Sequence, residues 1–171
     1  MNVRIRALEE ADAATSVVWR NTPEIWSLTR RSDDREVTLE DELAWIRNVI
    51  ADHTSARFAI IASGTYVGNI YLTDIEGGEA EYHIFIGDPE ARGRGIARRA
   101  SELIISYGRE ELRLNRVRLS VHRENVRAAG LYRSLGFVEN GREGDFINMI
   151  LSLKTPEQIG VPFVEKLRCS R

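Results

Sequence analysis

Apolar and polar positions change their period several times along the chain, and each change marks an element. At the start Val3, Ile5 and Ala7 alternate with Asn2, Arg4 and Arg6, the period of two that sends side chains to opposite faces of a strand. From Glu9 to about Trp19 the spacing lengthens to that of a helix with Ala13, Val17 and Val18 toward one side, and Pro23 stops the pattern. Residues 30–36 (RRSDDRE) form the most polar stretch and predict an exposed loop. Thr38 then opens a capping box with Asp41, in which each side chain satisfies a backbone N–H that has no partner inside the helix. Leu39, Leu43, Ile46 and Ile50 follow at helical spacing and predict a helix to about Asp52.

After His53 the alternation returns. RFAIIA, a turn at Ser63-Gly64, TYVGNIYLTDI, a turn at Gly77-Gly78 and AEYHIFIG read as three consecutive antiparallel strands. Gly87-Asp88-Pro89 ends the third, and Ile96, Ala100, Leu103, Ile104 and Tyr107 recur at intervals of three and four to about Glu110. RVRLSVH is again a strand; Asn125 caps a helix to about Leu135, Gly136 closes it, and FVENG with DFINMILSL predicts a last hairpin. Strands and helices are thus interspersed, an α/β (α+β) pattern. Residues 1–154 are expected to form one domain, with 155–171 an appendage.

A length of 171 residues fits a single domain, and 43% apolar residues suffice for a core. The net charge of −2 excludes a uniformly basic nucleic-acid binder. One cysteine, Cys169, excludes a disulfide framework within the chain and fits a reducing, cytoplasmic setting. His53, His83 and His122 lack metal-ligand spacing, so no metal is expected, and no apolar run is long enough for a membrane span. Charge is nevertheless uneven. Between Arg92 and Arg133 eleven arginines face four carboxylates, a surplus of +7 against −9 for the remainder. Such a block suggests a region that meets a polyanion such as a nucleotide cofactor, the plain alternative being solvated helix faces.

The strand Ile84-Phe85-Ile86 leads into Arg92-Gly93-Arg94-Gly95-Ile96-Ala97, a glycine turn that opens a helix. Such a turn exposes backbone N–H groups at the positive end of the helix dipole, a ready place for phosphate oxygens. Gly93 and Gly95 permit close approach, and Arg92 and Arg94 can add charge-assisted bonds. A plain turn is the alternative; the Rossmann and Walker spacings are both absent.

RGRGIA at 92–97, followed by N-x-x-A-x-x-L-Y-x-x-L-G-F over Asn125 to Phe137, resembles the GNAT superfamily of acetyl-CoA-dependent N-acetyltransferases, and the order of elements across residues 3–153 is similar to that fold. Trp19 to Trp26 resembles the branch with ribosomal-protein alanine, spermidine and amino-sugar N-acetyltransferases. The resemblance implies a mixed, mostly antiparallel central sheet flanked by helices on both faces, with acetyl-CoA as co-substrate. It implies that the amides of Arg92 to Ala97 wrap the coenzyme A pyrophosphate, and that the backbone of Ile84, Phe85 and Ile86 pairs with the pantetheine arm much like an added strand. It makes Tyr132 the proton donor to the departing thiolate, and lets Asn125 touch the cofactor besides capping its helix. The acceptor would be a primary amine of a small molecule (amino sugar, polyamine) or a protein N-terminus, with no nucleic-acid or membrane partner; a homodimer is left open.

An amine is mostly ammonium near neutral pH and needs a base before it can attack a thioester. Glu81 stands fourteen residues before Gly95, where several family members keep a catalytic glutamate, and acts directly or through water; an edge carboxylate is the alternative. Alternation puts Glu81, His83 and Phe85 on one face unless a bulge shifts the register. His83 is either a proton relay or a structural residue. Some protein-acetylating relatives carry a glutamate where this chain has Ser120, which leaves Glu81, water or His122 for that role. Tyr132 has aromatic packing as its alternative. Gly130 costs its helix about 1 kcal/mol against alanine and suggests close packing or cofactor approach. A non-catalytic acyl-CoA-binding module would need Arg92 to Ala97 but neither Glu81 nor Tyr132, and nucleic-acid binding by the arginine block would depend steeply on salt.

Overall fold

The computed structural model describes residues 2–28 and 35–153. Seven strands, β1 (Val3–Ala7), β2 (Ala56–Ala62), β3 (Thr65–Glu76), β4 (Glu79–Ile86), β5 (Arg116–His122), β6 (Val138–Glu143) and β7 (Phe146–Ser152), form one sheet in the order β1-β2-β3-β4-β5-β7-β6. All neighbours are antiparallel except β4 and β5. These two are joined through helix α4 (Ile96–Glu110), since a parallel pair needs a crossover where a hairpin would give an antiparallel one.

Helices cover both faces. Ile96, Ala100 and Ile104 of α4, with Ala129 and Tyr132 of α5 (Val126–Ser134), bury the main core against Ile60, Ile70, Leu72, Val117 and Met149. A smaller cluster on the other face packs Ala13 of α1 (Ala13–Arg20) and Ile46 of α3 (Leu39–Ile50) on Ala59 and Ile61. The Thr38–Asp41 capping box is formed, with Asp41 N–H donating to Thr38 Oγ1 at 3.1 Å and Thr38 N–H to Asp41 Oδ2 at 3.0 Å.

Several local expectations are corrected. A 3-10 turn precedes α1, which buries Ala13, Ser16 and Trp19 while Val18 is 62% exposed. Trp19 takes the inward position instead: its ring lies over Gly87 so closely that a Cβ there would stand 2.0 Å from it, while Val17 is half-buried. Pro23 opens a short helix, α2 (Pro23–Trp26), because its fixed φ suits a first turn as well as it breaks an interior. In α3, Leu39 and Ile50 are exposed and Glu42 is buried in their stead. More than half of the charge block is paired within the fold. Six of its arginines form ion pairs, Arg98 and Arg99 with Glu102, Arg116 with Glu79, Arg118 with Asp74 and Glu81, Arg123 with Asp145 and Arg133 with Glu139. Most of those carboxylates come from outside the block. The bulk of the 30–36 loop and the 155–171 tail with Cys169 lie outside the described residues.

Two features of β4 position the site. Its register against β3 is regular from Glu81 to Ile86, the irregularity falling between Thr73 and Glu76, where Asp74 has φ 47°. Glu81, His83 and Phe85 therefore do share a face. The second feature is that β4 pairs with β5 only over Glu79–Glu81 and Arg116–Arg118. Beyond those three positions the parallel strands part and open a gap in the sheet.

Candidate active site

At the head of α4 the glycine turn runs with Gly93 at φ 75° and Gly95 at φ 76°. This left-handed backbone costs a glycine little, and at Gly95 a side chain would point into open space. Arg99 is the first residue to donate into the helix, to Gly95 O at 3.1 Å. The six N–H groups from Gly93 to Arg98 have no acceptor among the described residues, which makes a concave positive nest. Asn125 Oδ1 accepts the N–H of Ala128 at 3.2 Å and caps α5 beside this turn.

A cleft of about 1130 Å³ is lined by Gly93, Gly95 and Asn125 on one face of the sheet and by Glu81, His83 and Ser120 on the other. It passes where β4 and β5 separate. Tyr132 lines it from α5, only 8% exposed and edge-on to Tyr82 at 5.8 Å and 83°. Burial pushes its phenol up to about 12, so the hydroxyl keeps its proton at neutral pH.

Across the gap, Glu81 Oε1 lies 3.7 Å from His83 Nε2, and the same imidazole nitrogen is 3.0 Å from Thr73 Oγ1. Arg118 Nη2 sits 3.5 Å from Glu81 and 3.6 Å from Asp74. Desolvation in the cleft holds His83 below its ordinary value of 6.5; Glu81 and Asp74 oppose this shift, and Arg57 and Arg118 add to it. At pH 7 the ring is therefore neutral and able to take a proton. The remaining wall is aromatic: Phe85 meets Trp26 at 5.2 Å and Trp19 at 6.0 Å, and Trp26 Nε1 donates to Trp19 O at 2.8 Å.

The family model for the acetyltransferase (GNAT) domain matches residues 2–138. The chain belongs to the GNAT acetyltransferase family. It is 37% identical over 94 residues to spermidine N(1)-acetyltransferase of Escherichia coli strain K12, a match covering 54% of this chain and 50% of that relative. It is 28% identical over 159 residues to alpha/beta-tubulin-N-acetyltransferase 9 of Drosophila melanogaster, covering 82% and 78%. The fold is similar to the crystal structure of spermidine N-acetyltransferase from Vibrio cholerae in complex with CoA and spermine, with a TM-score of 0.80 and 27% identity over 88% of this chain and 95% of that one.

Within this GNAT chain the sequence-chosen residues are not equally placed. Glu81, Ile84, Phe85, Ile86, Arg92, Gly93, Gly95, Ile96, Ala97, Asn125 and Tyr132 all line the cleft. Arg92, however, donates Nε to Ile86 O at 3.2 Å and Nη2 to Gly87 O at 3.4 Å, which ties the turn to the end of β4 and leaves fewer of its donors for a phosphate. Arg94 contributes its N–H, while its side chain lines a separate small groove with Asp88 and Glu90. Two further arginines line the cleft near the turn: Arg98, which is held by Glu102 and Ser134, and Arg127, whose Nη2 lies 3.2 Å from where a Cβ on Gly93 would stand. The signal for Arg127 was a basic side chain in the first turn of the helix that Asn125 caps. His122 also lines the cleft, with its ring against Phe146 at 5.2 Å and Nδ1 accepting the N–H of Glu124 at 3.3 Å, and Gly130 has nothing within 4 Å of an added Cβ, so close packing does not explain it. Arg20, which lines the cleft on the α3 side, fell within the Trp19–Trp26 segment without being singled out, and Trp45, Arg57 and Tyr71 beside it carried no motif.

Proposed function

We propose that this GNAT-family chain transfers an acetyl group from acetyl-CoA to a primary amine by direct attack, with no covalent enzyme intermediate. The observation that carries this reading is the cleft: it joins a nest of six unpaired N–H groups to Tyr132 and, through the gap between β4 and β5, to the Glu81–His83 pair. Bound acetyl-CoA supplies the acetyl group as a thioester. The Gly93–Arg98 amides and Arg127 would hold its phosphates, and the unpaired edge of β4 at Ile84 to Ile86 would align its arm as an added strand does. Glu81 and His83 together take the proton from the ammonium, directly or through water. The Tyr132 hydroxyl, kept protonated by burial, donates to the leaving sulfur. Relatives act on a polyamine in one case and on tubulin in another, by their names, which supports a primary amine as the acceptor without choosing between small molecule and protein. A cytoplasmic setting belongs to the same proposal.

The test is thiol release from acetyl-CoA across a panel of primary amines, with the acetylated product identified by mass. Amine-dependent release is the expected result. Heat of CoA binding without release makes the chain a binding module, and no heat at millimolar CoA rejects the reading altogether. The pH profile checks the base. kcat/KM falls as pH drops through the value of the group that must be deprotonated, and for His83 that limb lies under pH 6.5. Glu81→Gln removes a charge that raises His83 and should move the limb to still lower pH. A limb that neither Glu81→Gln nor His83→Asn displaces removes both from the role.

A further inference from the structure

Most charged groups in the acceptor half of the cleft are matched; Glu24 and Arg57 line it without an ion pair among the described residues. Arg20 Nε lies 3.3 Å from Glu42 Oε2, and Arg118 serves both Glu81 and Asp74. Arg57, which lines the same cleft, has no carboxylate within ion-pair distance among the described residues, although Asp52 and Asp74 act on it from further away. Its Nε donates to Ser55 Oγ at 3.2 Å, and its two Nη groups have no partner among the described residues. A half-buried guanidinium left without a counter-ion is costly unless something supplies one. Burial lowers its affinity for its own proton, the sign expected of such a cation.

The guanidinium is also held in place. Its carbon lies 4.8 Å from the centroid of Tyr71 and 5.5 Å from that of Trp45, and Trp45 is met by Arg20 as well at 4.9 Å. Two cation–π contacts thus fix the fork before any ligand arrives, which lowers the ordering cost of binding. The placement is informative. Arg57 is paired directly with Tyr71, and Tyr71 directly with His83, so the three form a row across β2, β3 and β4 on one face. The backbones of Arg57 and His83 are two strand spacings apart, about 10 Å.

We propose that Arg57 binds an anionic group of the acceptor, so that the amine this chain acetylates also carries a carboxylate, separated from the amine by a short chain. This rests on the transfer reading above and narrows it. A carboxylate would meet both free Nη donors in a bidentate pair, whereas a polyamine, cationic at every nitrogen, would meet an unmatched positive charge in the same place.

The experiment compares kcat/KM for three acceptor series of graded length: ω-amino carboxylates, alkylamines and α,ω-diamines. The expected result is a preference of at least tenfold for the best ω-amino carboxylate over the alkylamine and the diamine of matched length. Arg57→Gln should reduce that preference at least tenfold, mainly through KM, and Arg57→Lys should keep part of it because the charge remains while the fork is lost. A wild-type preference for the diamine or the alkylamine overturns the proposal whatever the variants do, as does a preference that Arg57→Gln leaves in place. Turnover of alkylamines without preference, or thiol release from none of the three series, sinks this proposal alone; no heat of binding at millimolar CoA sinks the transfer reading and this proposal with it.

Discussion

The two faces of the sheet build their halves of the site in different ways. On the α4–α5 face the groups come from two short stretches, Gly93 to Arg98 and Asn125 to Tyr132, and most of what they offer is backbone N–H. On the α1–α3 face Arg20, Trp26, Trp45, Arg57, Tyr71 and His83 come from six elements, and what they offer is side chains held by ion pairs and ring stacking. The first half should therefore tolerate many side-chain changes and resist changes of backbone geometry; the second should do the reverse. Tyr132 is the exception on its face, since it is the one side chain there proposed to transfer a proton.

That exception makes Tyr132→Phe the largest expected effect. The substitution removes one oxygen and leaves the ring on Tyr82 and Phe137. If the hydroxyl donates the proton, kcat falls by about 10² to 10⁴, while calorimetry finds acetyl-CoA affinity nearly unchanged. Equal losses in both would reduce the tyrosine to a wall of the pocket.

On the opposite face the largest effect is on stability. Glu42 is 1% exposed, accepts from Ser16 Oγ at 2.6 Å and faces Arg20 across 3.3 Å. Glu42→Ala leaves the guanidinium without this carboxylate and Ser16 without its acceptor, at a cost of about 2–4 kcal/mol, less than a fully buried pair because Arg20 is 24% exposed. Urea unfolding measures it. Glu42→Gln retains an oxygen for Ser16 and should lose less; an unchanged midpoint for both would show that the pair does not hold this face together.

The same contrast explains what could be read without coordinates. The donor half was legible because its residues are contiguous and its logic is local: a glycine turn after a strand, a cap at Asn125, a C′ glycine at 136. The strands were legible because alternation is a backbone property. The acceptor half was not, because its partners are far apart in sequence. Nothing near Arg57 announces Trp45 or Tyr71, and nothing near Glu42 announces Arg20 and Ser16, whose pairing is why a carboxylate occupies a core position in α3. Arg92 shows the limit of local reasoning even in the donor half, since an arginine beside a glycine turn can as well tie that turn to its strand. The ion pairs of the charge block were hidden for the same reason: its surplus was counted along the chain, and most of the carboxylates that answer it arrive from other elements.

The smallest effect separates two kinds of glycine on the donor face. Gly95 has φ 76°, where a side chain would cost about 1–2 kcal/mol. Gly130 lies inside α5, exposed, with no positive φ, and an added Cβ would meet nothing within 4 Å. No contact in the structure needs it to be glycine. Gly130→Ala should therefore add about 1 kcal/mol of stability by removing the entropy cost of glycine in a helix. That corresponds to a rise in Tm of about 2–4 °C for a chain of this size. Gly130 does not line the cleft, so coenzyme A affinity should be unaffected. A stabilised variant with weakened coenzyme A binding would mean that the donor approaches α5 more closely than the cleft indicates, and the donor half would then depend on backbone exposure along α5 as well as at the head of α4.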